Sequence, residues 1–303
     1  MASGANWELY RSFLGVLEHG SLSGAARALG IAQPTVGRHI AALEKELGIA
    51  LFTRSPHGFL PTGGALQLKG YADAMRSNAA ALVRAAGSQG SQVKGTVRIS
   101  AGEIIGVEVL PAIVADLQAC HRELKVELSL ANQRQDLLRH EADIAVRMAQ
   151  PQQELLVARR VGQVELGAFA HQAYLGRRGT PATPADLPSH ALIGFDVETA
   201  FLRIARKQVP GWEREAFAAR ADSDVAQLAL LRAGAGIGLC QVPIATRDAS
   251  LVRVLQGDIQ IRLDLWLVMH EDLRNDARCR ATFDALLEGL LRYLSGDQGQ
   301  AGS

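Results

Sequence analysis

The stretch Ser21–Gly48, SLSGAARALGIAQPTVGRHIAALEKELG, decides the fold of the N-terminal region. It opens with hydroxyl residues suited to cap a helix and continues with small residues that let a second helix cross closely. Gly30 then turns the chain, Pro34 suits the first turn of the next helix, and Gly48 suits its C-terminal exit. We therefore predict two helices joined by a turn, with the second running from about Gln33 to Leu47.

The second helix has one apolar face and one polar face. The apolar face must point to the core of the small domain, and it consists of Val36, Ile40, Leu43 and Leu47. The opposite face presents Gln33, Pro34, Thr35, Arg38, Ala42 and Lys45, with His39 on the flank. Such a surface near a helix N-terminus can donate to phosphates and reach base edges in a major groove. An ordinary solvated face is the alternative explanation for any single one of these residues.

A short β-hairpin is predicted after this helix, over Leu51–Thr62, LFTRSPHGFLPT. Ser55–Gly58 is a turn signal between two strand-like runs. A hairpin behind three helices is typical of a winged helix-turn-helix, which is the fold class we predict for residues 1–62. The wing would place Arg54 and His57 beside the DNA backbone or the minor groove.

This region resembles the DNA-binding domain of the LysR-type transcriptional regulators. The resemblance is carried by Ala25–Leu29, Gln33–Val36, Ile40, Leu43-Glu44, Leu47-Gly48, Leu51–Arg54 and Thr62. It implies that a homodimer or homotetramer recognises inverted-repeat promoter DNA, with RNA polymerase as a further candidate partner. The DNA contacts it implies are Ser23, Gln33, Pro34, Thr35, Arg38, His39, Arg54 and His57.

Two positions depart from the family pattern. The family usually has a serine at the position of Gly37, and a second basic residue is common at the position of His57. A glycine within a helix costs about 1 kcal/mol relative to alanine and removes a hydroxyl that could touch DNA. The preferred DNA sequence is therefore expected to differ from that of commoner members.

Residues 63–86 read as one uninterrupted helix of ~36 Å. Apolar or small residues follow a coiled-coil spacing at Leu68, Ala72, Met75, Ala79, Leu82 and Ala86. Such a stripe can pack on its own domain, but the length of the helix favours pairing with a second copy. We predict a dimerisation helix and hinge over 63–92, ending in the small polar segment Gly87–Gln92.

From Val93 onward, β and α patterns alternate, which predicts a mostly parallel sheet covered by helices. The segments are Thr96–Ser100, a helix to about Cys120, Val126–Leu130, Leu137–His140 and Asp143–Arg147. Ligands of such sheets bind beyond the carboxyl ends of the strands, where Ser100–Glu103 falls.

This half resembles the LysR effector domain, which is α/β and has two lobes like a periplasmic binding protein. The resemblance rests on Arg98–Ser100 with Leu110-Pro111, on Ala142–Arg147, and on Ala233–Leu239 running to Val242-Pro243. It implies an effector-binding domain over 93–303, with lobe 1 over about 93–161 and 267–303 and lobe 2 over about 162–266. The implied effector contacts in the cleft are Ser100, Ala101, Asn132, Arg147, Phe195 and Ser223.

Two features of this domain have alternative readings. Arg147 can anchor a ligand carboxylate or form a salt bridge at the hinge. The glycine run Gly234–Gly238 precedes a strand, whereas a dinucleotide-binding run would open a helix, so we expect a turn.

Composition narrows the functional classes. The 303 residues carry a net charge of +1, so an architectural DNA binder, usually strongly basic, is the less favoured alternative. No apolar run approaches the ~18 residues of a membrane helix and no signal peptide is evident, so we expect a cytoplasmic location without membrane contact. The spacing of Cys120, Cys240 and Cys279 indicates neither a disulfide framework nor a zinc site. Catalytic motifs are absent, which leaves an enzyme on a binding-protein-like fold as a remote alternative, and we expect no cofactor or metal beyond a small-molecule effector.

Overall fold

The computed structural model describes residues 6–55, 58–86, 92–130, 142–150 and 156–296. These residues belong to two compact units, one reaching Ala86 and the other comprising the described residues from 92 onward. None of the described helices combines the length and the hydrophobicity needed to cross a membrane.

The first unit is a small helical domain with a two-stranded hairpin and a long last helix. Its elements are α1 (Trp7–His19), α2 (Leu22–Leu29), α3 (Gln33–Leu47), β1 (Phe52–Ser55), β2 (Gly58–Pro61) and α4 (Gly63–Ala86). The predicted bounds of α3 and the predicted hairpin are confirmed.

Local signals fix the ends of α2 and α3. The Ser21 hydroxyl accepts a hydrogen bond from the Gly24 amide at 3.0 Å, which caps α2. Gly30 and Gly48 end the two helices with φ of 69° and 70°, a left-handed conformation that side chains disfavour. The turn between the helices therefore follows directly from the sequence.

The core of this unit confirms the predicted inner face of α3. Val36, Ile40 and Leu43 are buried against Phe13 and Leu14 of α1. Their spacing leaves the residues between them on the outside of the helix.

The first half of α4 belongs to the same core. Ala65 and Ala72 are buried there and Leu68 is partly buried. The prediction that Leu68 and Ala72 face a partner helix is thereby corrected, because burial within their own domain already takes up their apolar surface. Further along α4, Leu82 and Val83 are each 72% exposed.

The second unit contains one sheet with an uncommon strand order. Its strands are β3 (Gly95–Ala101), β4 (Leu124–Leu130), β5 (Ile144–Arg147), β6 (Leu156–His171), β7 (Leu192–Gly194), β8 (Phe217–Arg220), β9 (Ile237–Gln241), β10 (Leu251–Val254) and β11 (Ile261–His270). The order among the described strands is β4-β3-β5-β11-β6-β9-β7-β8, with β10 also paired to β6. β3 pairs in parallel with β4 and β5, as predicted.

Helices cover this sheet, and one prediction about them is wrong. They are α5 (Glu103–Glu108), α6 (Leu110–Cys120), α7 (Gln172–Arg178), α8 (Ala200–Gln208), α9 (Asp224–Arg232), α10 (Val242–Ala245) and α11 (Ala277–Ser295). The single helix expected up to Cys120 is broken at Val109, because Pro111 lacks an N–H and its ring would clash with a carbonyl of the preceding turn. The segment Leu137–His140 lies outside the described residues.

Two long antiparallel strands, β6 and β11, run through the middle of the sheet. Their register shifts between Leu265 and Trp266, which pair with Gly162 and Arg160, so Val161 is the extra residue of a β-bulge. β5 joins the sheet on one side of this bulge and β9 on the other. The predicted crossings between lobes, near Val161 and Trp266, fall at this bulge.

Candidate DNA-binding surface and effector site

The outer face of α3 is polar and accessible. Gln33, Pro34 and Arg38 are exposed and Thr35 is half-buried, with the Arg38 guanidinium donating to the Thr35 hydroxyl at 3.3 Å. No side chain caps the start of α3, which follows Ala32. Uncapped backbone N–H groups at a helix start favour an anion such as a phosphate.

Exposed cations of this unit differ in their pairing. Cations on α1 and α4 are engaged by carboxylates: Arg11 pairs with Glu8, Lys69 with Asp73, and Arg76 with Glu18 and Asp73. Within the described residues, no ion pair engages the exposed cations on α2 and α3, which are Arg27, Arg38 and Lys45. Positive charge available to phosphates is therefore concentrated on the helix-turn-helix.

His39 and Ser23 occupy different environments. The Nδ1 atom of His39 lies 2.7 Å from the hydroxyl of the buried Ser12, so this half-buried ring ties α3 to α1. Ser23 is exposed in the first turn of α2. A DNA contact from His39 would have to use its other ring nitrogen.

The wing is anchored by two residues for which the sequence suggested no role. A carboxylate oxygen of Glu44 accepts from the amides of Leu51 and Phe52, at 2.7 and 3.3 Å. The Thr62 hydroxyl donates to the Ala50 carbonyl at 2.8 Å. Both Glu44 and Thr62 occur in the family-like stretch, which was the only signal available for them.

Arg54 and His57 were also predicted to touch DNA from the wing. Arg54 is on β1 and its backbone pairs with Phe59 of β2. The side chain of Arg54, and all of His57, lie outside the described part of the chain.

In the second unit, Ser100 and Arg147 meet at the carboxyl ends of β3 and β5. The Arg147 Nη2 group donates to the Ser100 hydroxyl at 2.9 Å, and Nη1 donates to the carbonyls of Ser100 and Val146 at 3.1 and 3.0 Å. All of its hydrogen bonds to described residues go to neutral oxygens, so the salt-bridge reading of Arg147 is not seen there. Burial lowers the pKa of the Arg147 guanidinium, yet an arginine stays charged in proteins.

The other predicted effector contacts are distributed around this point. Ala101 is fully buried, and Phe195 is buried with its ring edge towards Phe201 at 6.1 Å. Ser223 caps α9 and donates to a carboxylate oxygen of Glu103 at 2.7 Å. Asn132 lies outside the described residues. The structure thus joins Ser100 to Arg147 and Ser223 to Glu103, a residue that was not among the predicted contacts.

The short helix α5 is held at both ends by residues far along the chain. Besides the contact of Glu103, the Arg232 guanidinium donates two hydrogen bonds to the Glu108 carboxylate, at 2.8 and 3.0 Å. Arg247 donates to the Glu108 carbonyl at 3.0 Å. The hydrogen bond with Arg232 lowers the pKa of Glu108 and raises that of Arg232. α5 therefore connects the predicted lobe 1 to three residues of the predicted lobe 2, Ser223, Arg232 and Arg247.

Remaining motifs have structural roles. Gly234 has φ of 73° in the turn before β9, which confirms that the glycine run is a turn. Burial raises the pKa of the Cys240 and Cys279 thiols to about 12, so both are protonated at neutral pH. Across the described ranges, no group of three or more His, Cys, Asp or Glu side chains is arranged to hold a metal ion.

The fold is similar to solved structures of regulators. CbnR, a LysR family transcriptional regulator, superposes with a TM-score of 0.66 at 20% identity, over 95% of this chain and 99% of that chain. Full-length CbnR in complex with its target DNA superposes with a TM-score of 0.61, also at 20% identity and with the same coverage.

Sequence relatives are regulators as well. A probable HTH-type transcriptional regulator of Klebsiella pneumoniae, LtrA, is 27% identical over 293 residues, 91% of this chain and 92% of that protein. An HTH-type transcriptional regulator of Xanthomonas campestris pv. campestris is 28% identical over 183 residues, 60% of this chain and 53% of that protein.

Two family descriptions cover nearly the whole chain. Residues 7–65 match the bacterial regulatory helix-turn-helix of the lysR family, and residues 90–291 match the LysR substrate binding domain. The first match contains α1 to α3 and the wing, and the second contains the site at Ser100 and Arg147. The chain therefore belongs to the LysR family and is a transcriptional regulator with an N-terminal DNA-binding domain and a C-terminal effector-binding domain.

Proposed function

We propose that this regulator binds promoter DNA with the outer face of α3, with α3 entering the major groove. The concentration of unpaired cations on α2 and α3, beside the uncapped start of α3, supports this assignment. Base and backbone contacts are assigned to Gln33, Pro34, Thr35 and Arg38, with Ser23 on a phosphate and Arg54 and His57 contributed by the wing. The solved complex of CbnR with its target DNA shows that a relative of the same fold binds DNA.

A small effector at Ser100 and Arg147 regulates this binding. Both residues lie at the carboxyl ends of parallel strands, where α/β domains bind ligands. The chain passes from Ser100 into α5 within three residues, and α5 is bonded to Ser223, Arg232 and Arg247. An effector that shifts α5 therefore changes the angle between the lobes, and through it the spacing of the DNA-binding domains.

The protein acts as a homodimer or homotetramer paired through the second half of α4. Leu82 and Val83 are exposed there, and Met75 and Ala79 are only partly covered by their own chain. A second copy of α4 would cover this surface in the manner of a coiled coil. Paired domains match an inverted repeat in promoter DNA, which places the protein in the cytoplasm, with RNA polymerase as a candidate partner.

DNA binding is tested by comparing Arg38→Ala with Arg11→Ala in gel-shift titrations on promoter and random DNA. Arg38 carries no ion pair within the described chain, whereas Arg11 is paired with Glu8, so Arg11 is the matched control. We expect Arg38→Ala to weaken promoter binding about tenfold or more and to flatten its salt dependence. Equal effects of the two variants would contradict the role of α3, and equal binding to both DNAs would favour an architectural protein.

Effector binding is tested by thermal unfolding of the full chain with a library of small metabolites. A ligand at 100 times its dissociation constant stabilises a protein by about 2.7 kcal/mol, which is a measurable shift. The same ligand should change the DNA footprint and the bend of the promoter. A ligand that binds and leaves both unchanged would contradict the proposed regulation.

A further inference from the structure

Trp266 has a buried indole N–H that finds no hydrogen-bond partner in the described part of the chain. Buried donors without partners are uncommon in native structures, and each has a free-energy cost. Trp266 follows the register shift of β11 and pairs directly with Arg147 of β5. Side chains of directly opposed residues leave the same face of a sheet with Cβ atoms ~5 Å apart. The unsatisfied N–H is therefore a neighbour of Arg147.

The guanidinium of Arg147 is only partly used. One edge, made by Nη1 and Nη2, clasps the hydroxyl and the carbonyl of Ser100, and Nη1 also donates to the Val146 carbonyl. The other edge, made by Nε–H and the remaining N–H of Nη2, has no partner among the described residues. Two parallel N–H groups on a planar edge match the two oxygens of a carboxylate.

The surroundings limit how much charge this pair of donors can accept. Ala145 and Val268 are fully buried on the same face of the sheet, and Trp266 packs against them. Apolar neighbours penalise a dianion more than a monoanion, because the desolvation cost rises steeply with charge. A singly charged carboxylate fits this environment better than a phosphate.

We propose that the effector of this regulator is an organic monocarboxylate bound by Arg147 and Trp266 together. The free edge of Arg147 binds the carboxylate, and the Trp266 indole N–H donates to one of its oxygens. Trp266 thereby becomes an effector-binding residue, although the sequence marked it only as a crossing point between lobes. The inference rests on the proposed effector site at Ser100 and Arg147, and it specifies the ligand class and a second donor.

The test uses the full chain and matched pairs of probes. Propionate, hexanoate and phenylacetate are each compared with the corresponding primary amide, and inorganic phosphate is the third arm, all at millimolar concentration. Binding is followed by the shift in melting temperature and by tryptophan fluorescence. Trp266→Phe removes the N–H and keeps an aromatic ring, and Arg147→Lys keeps the charge but removes the planar edge. Trp7→Phe, a substitution in the DNA-binding domain, is the control for loss of a tryptophan.

We expect at least one carboxylate to raise the melting temperature while its amide and phosphate do not. Trp266→Phe should weaken that binding about tenfold, as for loss of one hydrogen bond to a charged group, and Trp7→Phe should leave it unchanged. Arg147→Lys should weaken it at least as much. In the Trp7→Phe background, carboxylate binding should change the emission of Trp266, a readout that does not depend on Trp266→Phe folding.

Three outcomes would overturn the inference. They are unchanged affinity in Trp266→Phe, equal binding of an amide or phosphate, and no shift with any of the carboxylates. If a neutral or cationic metabolite from the wider library shifts both the melting temperature and the DNA footprint, the proposed regulation stands and the carboxylate inference fails.

Discussion

The hydroxyl of Ser12 and the Nδ1 atom of His39 are 2.7 Å apart, and this hydrogen bond joins α1 to the helix that we assign to the major groove. His39→Ala should lower the free energy of unfolding by ~1 kcal/mol, because it removes a part-buried hydrogen bond. Urea denaturation of the wild type, Ser12→Ala, His39→Ala and the double variant measures the coupling. If the two single losses simply add, the bond contributes nothing, and if His39→Ala weakens DNA binding as much as Arg38→Ala, His39 contacts DNA directly.

Gly37 should tolerate a side chain. A Cβ atom at this position would meet only the Leu22 side chain, at an ordinary contact distance of 3.6 Å. Gly37→Ala should therefore raise the free energy of unfolding by about 1 kcal/mol, since alanine favours helix. Gly70→Ala on α4, where a Cβ atom would meet nothing within 4 Å, is the control and should give a similar gain. Gly37→Ser should in addition change promoter affinity in gel shifts, and an effect equal to that of Gly37→Ala would argue against a hydroxyl contact.

The pair Glu108 and Arg232 should control how α5 is held. Glu108→Gln or Arg232→Gln should destabilise the effector-binding domain by up to ~1 kcal/mol, because one group of an ion pair loses its partner. The charge-swapped double variant, Glu108→Arg with Arg232→Glu, should recover part of the loss. Failure of the swap to recover stability, together with unchanged effector affinity in both single variants, would contradict a role for this pair in coupling.

Acid should weaken the same contact. The pKa of Glu108 is lowered in the folded protein, so its contribution to stability is complete above the pKa of the unfolded chain and is lost as the pH falls through the folded value. Thermal unfolding of the wild type should therefore decline on acidification more steeply than that of Glu108→Gln. Parallel pH profiles of the two proteins would exclude this contribution.

Gly236 and Gly238 stand two residues apart in one turn and strand but should respond differently to substitution. A Cβ atom at Gly236 would overlap the backbone carbonyl of Ala191, which cannot move without breaking strand contacts, whereas the nearest atoms at Gly238 are side chains at 3.6 Å. Gly236→Ala should cost ~1–3 kcal/mol or prevent folding, and Gly238→Ala should be close to neutral. Equal effects in thermal unfolding would contradict the close approach of these two chain segments.

The exposed end of α4 should be required for assembly. Leu82→Glu with Val83→Glu should shift the mass measured by light scattering towards the monomer, because charge would enter an apolar contact between copies. Leu66→Glu, at a residue that is 58% exposed near the other end of α4, is the control and should leave the mass unchanged. An unchanged mass in the double variant would exclude pairing through this surface.

Features that depend on neighbouring residues could be predicted from the sequence. The bounds of α3 follow from Pro34 and Gly48, and the wing follows from the turn signal at Ser55–Gly58. The break before α6 carries a local signal too, since Pro111 stands in the sequence, but a continuous apolar pattern around it indicated one helix. Local physics therefore accounts for most element boundaries in the first unit.

Features that depend on strand order could not be predicted in the same way. Glu108 and Arg232 are 124 positions apart, and Trp266 meets Arg147 only because β11 pairs with β5. Neither periodicity nor capping reports such a neighbour. The burial of Leu68 and Ala72 within their own domain also depends on how α1 packs against α4, so a coiled-coil spacing alone could not distinguish the two partners.

The discontinuity of the effector-binding domain has a consequence for its synthesis. Phe283 and Leu290 of α11 lie in the same core as Val97 of β3 and Ile113 of α6, with α11 the last described helix of the chain. β3 and α6 therefore leave the ribosome long before the helix that covers them, whereas the segment from β6 to β11 is continuous and can fold as it emerges. Until α11 is released, the nascent chain exposes apolar surface that only a chaperone can shield, and a premature stop before α11 would leave a DNA-binding domain joined to a half-built sensor.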